Sequence, residues 1–159
     1  MPKKKEVNEN ITCDWRDRMH KKEAGVDADR IYRHKGGCRW SGVRTERYKK
    51  LDGGWSAITR NVLIGNHGES AKFHLRYFEI APEGFSSKEI HRHEHVVICV
   101  RGKGRVLIGN KSYTIKYLDT VYLAPNTIHQ LYNPYDEPFG FFCIVDAKRD
   151  KPKLVTGLQ

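Results

Sequence analysis

The sequence predicts an all-β fold, either a sandwich or a barrel, for most of the chain. From Ala57 onward, short runs rich in β-branched and aromatic residues recur. Gly, Pro and Asn separate these runs, and Gly102-Lys103-Gly104 and Gly109-Asn110-Lys111 are typical of hairpin turns. Hardly any segment in this region has a helical pattern. Many short strands joined by tight turns are typical of antiparallel sandwiches and barrels.

Nine strands are predicted after residue 56. The segment from Lys72 to Ile80 is representative, because polar and apolar residues mix there at the two-residue spacing of a strand. The predicted strands cover residues 57–64, 72–81, 88–92, 95–101, 104–109, 112–116, 119–124, 128–133 and 139–146. Together they define a domain over residues 57–150. A chain of 159 residues can bury a core of this kind without needing disulfides or structural zinc.

The first 56 residues are predicted to form an N-terminal extension. Residues 1–11 are rich in Lys, Glu and Asn with little to bury, which is typical of a disordered segment. Residues 14–24 match a short helix, with Asp14 as its N-cap and Gly25 just past its end. The extension is therefore predicted to be irregular and partly helical.

The rest of the extension is expected to pack on the barrel. Residues 25–56 are irregular and polar, but Trp40 and Trp55 supply apolar anchors. At the other end of the chain, residues 151–159 are predicted to form a tail. The whole chain therefore reads as one barrel with two flanking segments.

The chain has a net charge of +10, most of it near its start. Residues 1–50 contain 15 Lys and Arg against 8 Asp and Glu. Basic and acidic residues are interleaved there, as in Asp14-Trp15-Arg16-Asp17-Arg18, and no nucleic-acid module is recognisable. No stretch approaches the ~20 apolar residues of a membrane span, and no apolar run follows the basic start. We expect a cytoplasmic protein that binds neither specific nucleic acid nor membrane.

The cysteines and nucleophiles argue against two classes of protein. No Cys-x-x-Cys pair is present, so a zinc knuckle is not expected. Cys99 and Cys143 lie in apolar runs and are predicted to be small buried residues of strands. No Cys or Ser nucleophile with a His and Asp partner is evident, which disfavours a hydrolase that forms a covalent intermediate.

Three histidines, His91, His93 and His95, lie two residues apart. Side chains two apart on a strand point to the same face, and two such imidazoles can reach one metal ion across a step of about 6.6 Å. Three in a straight row cannot, since the outer two would be about 13 Å apart. A turn around His93 and Glu94 removes this difficulty, and a fresh apolar strand, Val96 to Val100, follows it. The cluster therefore predicts a metal site rather than exposed strand residues.

His129 strengthens this prediction. It follows a turn, Ala124-Pro125-Asn126-Thr127-Ile128, and leads into another strand. Imidazole and carboxylate ligands suit one divalent Mn, Fe, Ni, Cu or Zn ion, and the sequence does not choose among them.

These segments resemble the cupin superfamily, in particular its small single-domain members. The family's first motif reads G-x5-H-x-H-x3-4-E-x6-G, and its second reads G-x5-P-x-G-x2-H-x3-N. The matching positions are Gly84 and Gly102-Lys103-Gly104 for the first motif, and Leu118-Asp119, Ala124-Pro125-Asn126, His129 and Asn133 for the second. The resemblance covers roughly residues 57–146. It implies a double-stranded β-helix, the jelly-roll barrel of the cupins, with a metal ion at its mouth.

The resemblance also implies a ligand set. Counting back from Gly102, the family's ligands fall on Glu89, His91 and His95. Counting back from Gly104, they fall on His91, His93 and Val97, and Val97 cannot bind a metal. We therefore expect the ligands to be Glu89, His91, His95 and His129. Glu89 stands where the family has a histidine, so whether Glu89 or His93 completes the set stays open.

The resemblance further implies a funnel-shaped cavity beside the metal, with apolar walls and a few polar anchors. The candidate wall residues are His74, Arg76, Tyr122, Gln130 and Phe141. Arg76 can pair with a substrate carboxylate, although a solvent-facing charge explains it equally well.

Two functions are consistent with such a site. The first is a metal-dependent enzyme, of the dioxygenase or isomerase type, that acts on a small acidic or hydroxylated molecule. The second is a non-catalytic module that binds a metal and a small ligand. Fold analogy does not separate them. Barrels of this class commonly pair, so we also expect a homodimer, which light scattering can test.

Overall fold

The structure, a computed structural model, describes residues 27–49 and 54–156. Every regular element in these ranges is a β-strand, which confirms the all-β prediction. The described strands are β1 (Thr45–Arg47), β2 (Ser56–Ile64), β3 (Phe73–Phe85), β4 (Glu89–Ile90), β5 (His95–Arg101), β6 (Lys103–Ile108), β7 (Lys111–Lys116), β8 (Thr120–Leu123), β9 (His129–Tyr132), β10 (Phe139–Asp146) and β11 (Lys153–Leu154). Nowhere in these ranges is there a helix that could cross a membrane. The predicted helix over residues 14–24 and the predicted disorder over residues 1–11 lie outside the described residues.

All the described strands join one antiparallel sheet. Its main path runs β11-β4-β9-β3-β10-β5-β8, with β2 and β1 attached at β3, and β6 and β7 attached at β9. The ladder between β3 and β10 is uninterrupted from Phe139↔Ile80 to Asp146↔Phe73. The sheet curls into a nearly closed jelly-roll barrel, so alternate side chains of each strand point into the barrel.

The core fills the inside of this barrel. Its residues recur at every second position of a strand, as the two-residue period requires. The clearest examples are Val97 and Cys99 of β5, and Phe139, Phe141, Cys143 and Val145 of β10. Cys99 and Cys143 are buried free thiols, as the sequence predicts.

Each of the nine predicted strands is present, and no end differs from its prediction by more than four residues. Two further strands, β1 and β11, were not predicted. They have three and two residues, too few to show a period, and they exist because β2 and β4 offer free edges to pair with. Their formation depends on the tertiary structure rather than on local sequence.

The described part of the N-terminal extension packs on the barrel. The ring of Trp40 lies 4.8 Å from that of Tyr77 and 6.3 Å from that of Phe142, measured between centroids. Tyr48 reaches the core itself and contacts Phe78 edge-on at 5.7 Å. The aromatic anchors thus hold this segment against the outer and inner faces of the sheet.

Two glycines allow the turn between β5 and β6 to approach β10. Gly102 has a φ of 60°, and a Cβ there would collide with the carbonyl oxygen of Pro138. A Cβ on Gly104 would collide with the ring of Phe139. Both positions therefore need glycine for space, and Gly102 needs it for its backbone conformation as well.

Candidate metal centre

Three buried histidines from three separate segments meet at one point. His91 follows β4, His95 opens β5, and His129 opens β9. β4 pairs with β9 through Glu89↔His129, which brings His91 beside His129. A bend at residues 92–93 then separates β4 from β5 and returns His95 to the same place. One ring nitrogen of each histidine lies within 4.8 Å of the other two, so the three are positioned to bind a metal ion.

The hydrogen bonds of two of these rings favour a cation between them. The Nδ1 atom of His91 lies 2.7 Å from the carbonyl oxygen of His93, and that of His129 lies 2.8 Å from the carbonyl oxygen of Thr127. A carbonyl only accepts, so each Nδ1 carries the hydrogen and each Nε2 presents a lone pair. The two Nε2 atoms face each other at 3.2 Å. Metal-binding histidines are held by this kind of outer hydrogen bond, and a metal ion would resolve the opposed lone pairs.

His93 occupies a different position in the cluster. Its Nδ1 donates to Asp150 Oδ1 at 2.7 Å, and its Nε2 lies 3.0 Å from the Nε2 of His95. Its ring stacks on that of His91, with 3.7 Å between centroids. The backbone N–H of Arg92, followed by the His93 ring, holds the pKa of Asp150 below its usual range. His93 therefore contacts His91 and His95 but is not one of the three clustered histidines.

Glu89 is buried beside the cluster but has its own partner. Its carboxylate forms an ion pair with Lys49, whose ammonium also donates to Ser87 Oγ at 3.2 Å. Burial, followed by the negative charge of Glu89, raises the pKa of the neighbouring Tyr48 well above its usual range. The geometry brings His91, His95 and His129 together, and it places Glu89 against Lys49.

Burial is the largest cause of a lowered pKa at each of the three clustered imidazoles. The pKa of His91 falls to about 4. The pKa values of His95 and His129 also lie below that of a free histidine, mainly because of burial. All three rings are neutral at neutral pH, which is the form that binds a metal.

A cavity of about 210 Å³ opens beside the cluster. Its lining combines metal-site residues, apolar core residues and four basic side chains. The lining includes Lys49, Arg60, Arg76, Glu89, His93, His95, His129, Phe141, Cys143 and Arg149.

The fold and the site agree with the comparisons to known proteins. Residues 76–145 match the family model described as Cupin domain. A 1-methylthio-D-xylulose 5-phosphate methylsulfurylase of Rhodospirillum rubrum is 38% identical over 119 residues, which are 74% of this chain and 75% of that protein. The chain belongs to the cupin superfamily.

Two solved cupin structures are similar to this one over most of their length. A cupin-2 domain protein of Rhodospirillum rubrum has 34% identity and a TM-score of 0.69, and the match covers 83% of this chain and 82% of that one. A cupin 2 conserved barrel domain protein of Rhodopseudomonas palustris has 31% identity and a TM-score of 0.74, with 80% and 88% covered. These matches confirm the resemblance on which the jelly-roll prediction rests.

The cavity of this cupin contains two of the five wall residues proposed from the sequence, Arg76 and Phe141. The other three lie elsewhere. Tyr122 is 62% exposed. The side chain of Gln130 donates to the backbone oxygen of Ser86 at 2.8 Å, and the His74 ring contacts Arg149.

Sequence reasoning missed three basic residues of the wall, Lys49, Arg60 and Arg149. Lys49 and Arg149 belong to irregular segments before the first and after the last predicted strand, and neither stands in a motif. Arg60 lies on β2, where its strand position gave a usable signal, because it precedes the buried Val62 by the two-residue period. Which side of the sheet formed the cavity was not visible from the sequence.

The metal-free protein is expected to lose stability as the pH falls from about 7 to about 3.5. An unfolded histidine titrates near pH 6.5, whereas the pKa of folded His91 is about 4. Between these values the unfolded chain binds protons that the folded chain does not, so acid favours unfolding. Urea unfolding at a series of pH values measures the effect.

The control for this prediction is an exposed histidine outside the cluster. His91→Ala should flatten the pH dependence, and His34→Ala should leave it unchanged. An undiminished pH dependence in His91→Ala would contradict the assignment of this effect to the cluster.

Proposed function

We propose that this cupin is a metal-dependent enzyme that acts on a small hydroxylated molecule carrying an anionic group. The observation that carries the proposal is the opposed Nε2 atoms of His91 and His129 beside a cavity with basic walls. The histidines supply a metal site, and the basic side chains favour an anionic substrate. The cavity volume favours a small one.

The charges around the site support a catalytic role. Three neutral imidazoles do not reduce the charge of a bound divalent ion, and the carboxylate of Glu89 is already compensated by Lys49. His91, His95 and His129 would hold the ion, which would supply Lewis-acid chemistry at a substrate oxygen. The protein's own residues position the imidazoles, through the carbonyls of His93 and Thr127, and exclude water with the apolar core.

The Rhodospirillum rubrum relative supports the choice of substrate class. Its name specifies a phosphorylated sugar derivative, 1-methylthio-D-xylulose 5-phosphate. Such a molecule is small, hydroxylated and anionic, in agreement with the cavity described above. We therefore favour chemistry on a sugar phosphate, of the isomerase or group-transfer type, over oxygenation.

The experiment is an activity survey of tag-free protein loaded separately with Mn, Fe, Ni, Cu or Zn. The substrates are 1-methylthio-D-xylulose 5-phosphate, a panel of sugar phosphates and a panel of small hydroxy acids, with products followed by mass spectrometry and oxygen uptake recorded in parallel. We expect turnover of a sugar phosphate derivative without oxygen uptake, lost in His129→Ala and retained in His34→Ala. Oxygen uptake would show a dioxygenase instead. Stoichiometric metal without turnover of any compound would show a binding module and overturn the proposal.

A further inference from the structure

Three arginines of the cavity wall, Arg60, Arg76 and Arg149, are not needed to hold a metal ion. We infer that they form a subsite for a phosphate group, with Arg76 and Arg149 as its main ligands. The presence of this subsite rests on the arginines alone. That the subsite binds the phosphoryl group of a substrate whose other end reaches the metal rests, in addition, on the proposed function.

The strand register brings the three guanidinium groups to one side of the cavity. Arg76 on β3 pairs with Val62 of β2, and Arg60 lies two residues before Val62, so both arginines point to the same face of the sheet. On its other side Arg76 pairs with Cys143 of β10. Arg149 follows the end of β10, and it contacts the ring of His74 at 3.3 Å.

Neither Arg76 nor Arg149 forms an ion pair with a carboxylate within residues 27–49 and 54–156. Arg76 Nη2 donates to Cys143 Sγ at 3.2 Å, and its guanidinium lies 5.1 Å from the centre of the Phe78 ring. Arg149 Nη1 donates to the backbone oxygen of Asp146 at 3.0 Å. Buried or half-buried cations of this kind are costly unless an anion joins them.

Two arginines of the cavity wall each have an Nε–H group that donates no hydrogen bond to any described residue. The Nε atoms of Arg60 and Arg76 are buried, and neither has an acceptor in the described part of the chain. Arg60 does pair with Glu46, through Nη2 at 2.8 Å, so its charge is partly compensated while its Nε remains unused. Buried N–H groups without an acceptor are rare in folded proteins and call for a bound ligand or water.

Phosphate fits this set of groups better than a carboxylate does. A phosphate monoester carries up to two negative charges and three acceptor oxygens, which match two uncompensated guanidinium groups and a third donor. A carboxylate carries one charge and would leave one guanidinium without an anion. The planar guanidinium fork binds phosphate oxygens in pairs, which explains why the wall uses arginine rather than lysine here.

The subsite lies close to the metal centre. Cys143 connects the two, because its Sγ is 3.2 Å from Arg76 Nη2 and 3.8 Å from Nδ1 of the clustered His95. A substrate with a short carbon chain between its phosphate and a hydroxyl or carbonyl oxygen can therefore reach both. This spacing favours phosphate monoesters in which the reacting oxygen is close to the phosphate.

The experiment titrates inorganic phosphate into the full chain by calorimetry, both metal-loaded and after chelation, with acetate as the comparison anion. We expect phosphate to bind at one site per chain in both forms and acetate to bind much more weakly. Arg76→Gln and Arg149→Gln should each weaken phosphate binding by about tenfold to a hundredfold, because each removes hydrogen bonds from a charged donor. Arg60→Gln should have a smaller effect, since Glu46 already pairs with that side chain. Arg44→Gln is the matched control, because Arg44 is exposed and lies outside the cavity wall.

The possible outcomes separate this inference from the proposed function. Metal content and unfolding midpoint, measured on every variant, show whether the fold is retained. Equal losses in Arg44→Gln and Arg76→Gln, tighter binding of acetate, or no phosphate binding would overturn the subsite, whatever the enzyme assay shows. Phosphate binding that depends on Arg76 and Arg149, in a protein that turns over no substrate with any metal, would support the subsite and overturn the proposed function.

Discussion

Replacing His129 by alanine is expected to lower metal affinity by more than about a hundredfold. Loss of an outer hydrogen-bond partner alone costs tenfold to a hundredfold in metal sites, and loss of a ligand costs more. His129 shares the shortest contact in the group of three, with its Nε2 at 3.2 Å from that of His91. His91→Ala should have an effect of similar size. Competition with a chelator of known affinity, followed by metal analysis, measures both.

His93 provides the internal comparison. Because His93 is not one of the three histidines whose ring nitrogens all lie within 4.8 Å of one another, His93→Ala should weaken metal binding by only about tenfold. His34→Ala, an exposed histidine far from the cluster in sequence, should change nothing. Equal losses of metal affinity in the His91, His93 and His129 variants would mean that His93 is itself a ligand. The assignment of His91, His95 and His129 as the ligand set would then be wrong.

Replacing Phe139 by alanine is expected to lower the free energy of unfolding by about 3–5 kcal/mol, the usual range for a large aromatic residue in a core. Phe139 is completely buried and lies 5.0 Å from the ring of Phe141. Its ring occupies the space that Gly104 leaves open, so its removal would leave a cavity beside a residue that has no side chain. Urea unfolding measures the loss.

The control for this prediction is Phe73→Ala, at a phenylalanine that is 47% exposed. It should cost less than about 1 kcal/mol, because little buried surface is lost. A similar cost for both variants would show that Phe139 does not hold β10 against β6. Folded Phe139→Ala protein should still bind metal, since the core and the histidine cluster are separate groups of residues.

Much of the barrel was predictable because its strands carry a local signal. β5 and β10 are short, nearly continuous apolar runs bounded by polar residues, Gly and Pro, which is typical of buried strands, and the structure buries mainly every second residue of each. Gly102 was predicted to lie in a turn, because a tight turn between two strands needs a residue that tolerates a positive φ. β1 and β11 were not predictable, because a strand of two or three residues is stabilised by its partner's edge rather than by its own sequence.

The sequence by itself determined that this protein has an all-β domain of short strands and a cluster of histidines that one turn could direct to a single ion. It did not determine the partners of the charged residues. Only the tertiary structure paired Glu89 with Lys49, joined His93 to Asp150, and brought Arg149 from beyond β10 to the side of Arg76. The reason is physical: a strand period reports which face is buried, whereas an ion pair or a ligand subsite depends on which distant segments meet. That meeting is decided by the order of strands in the sheet.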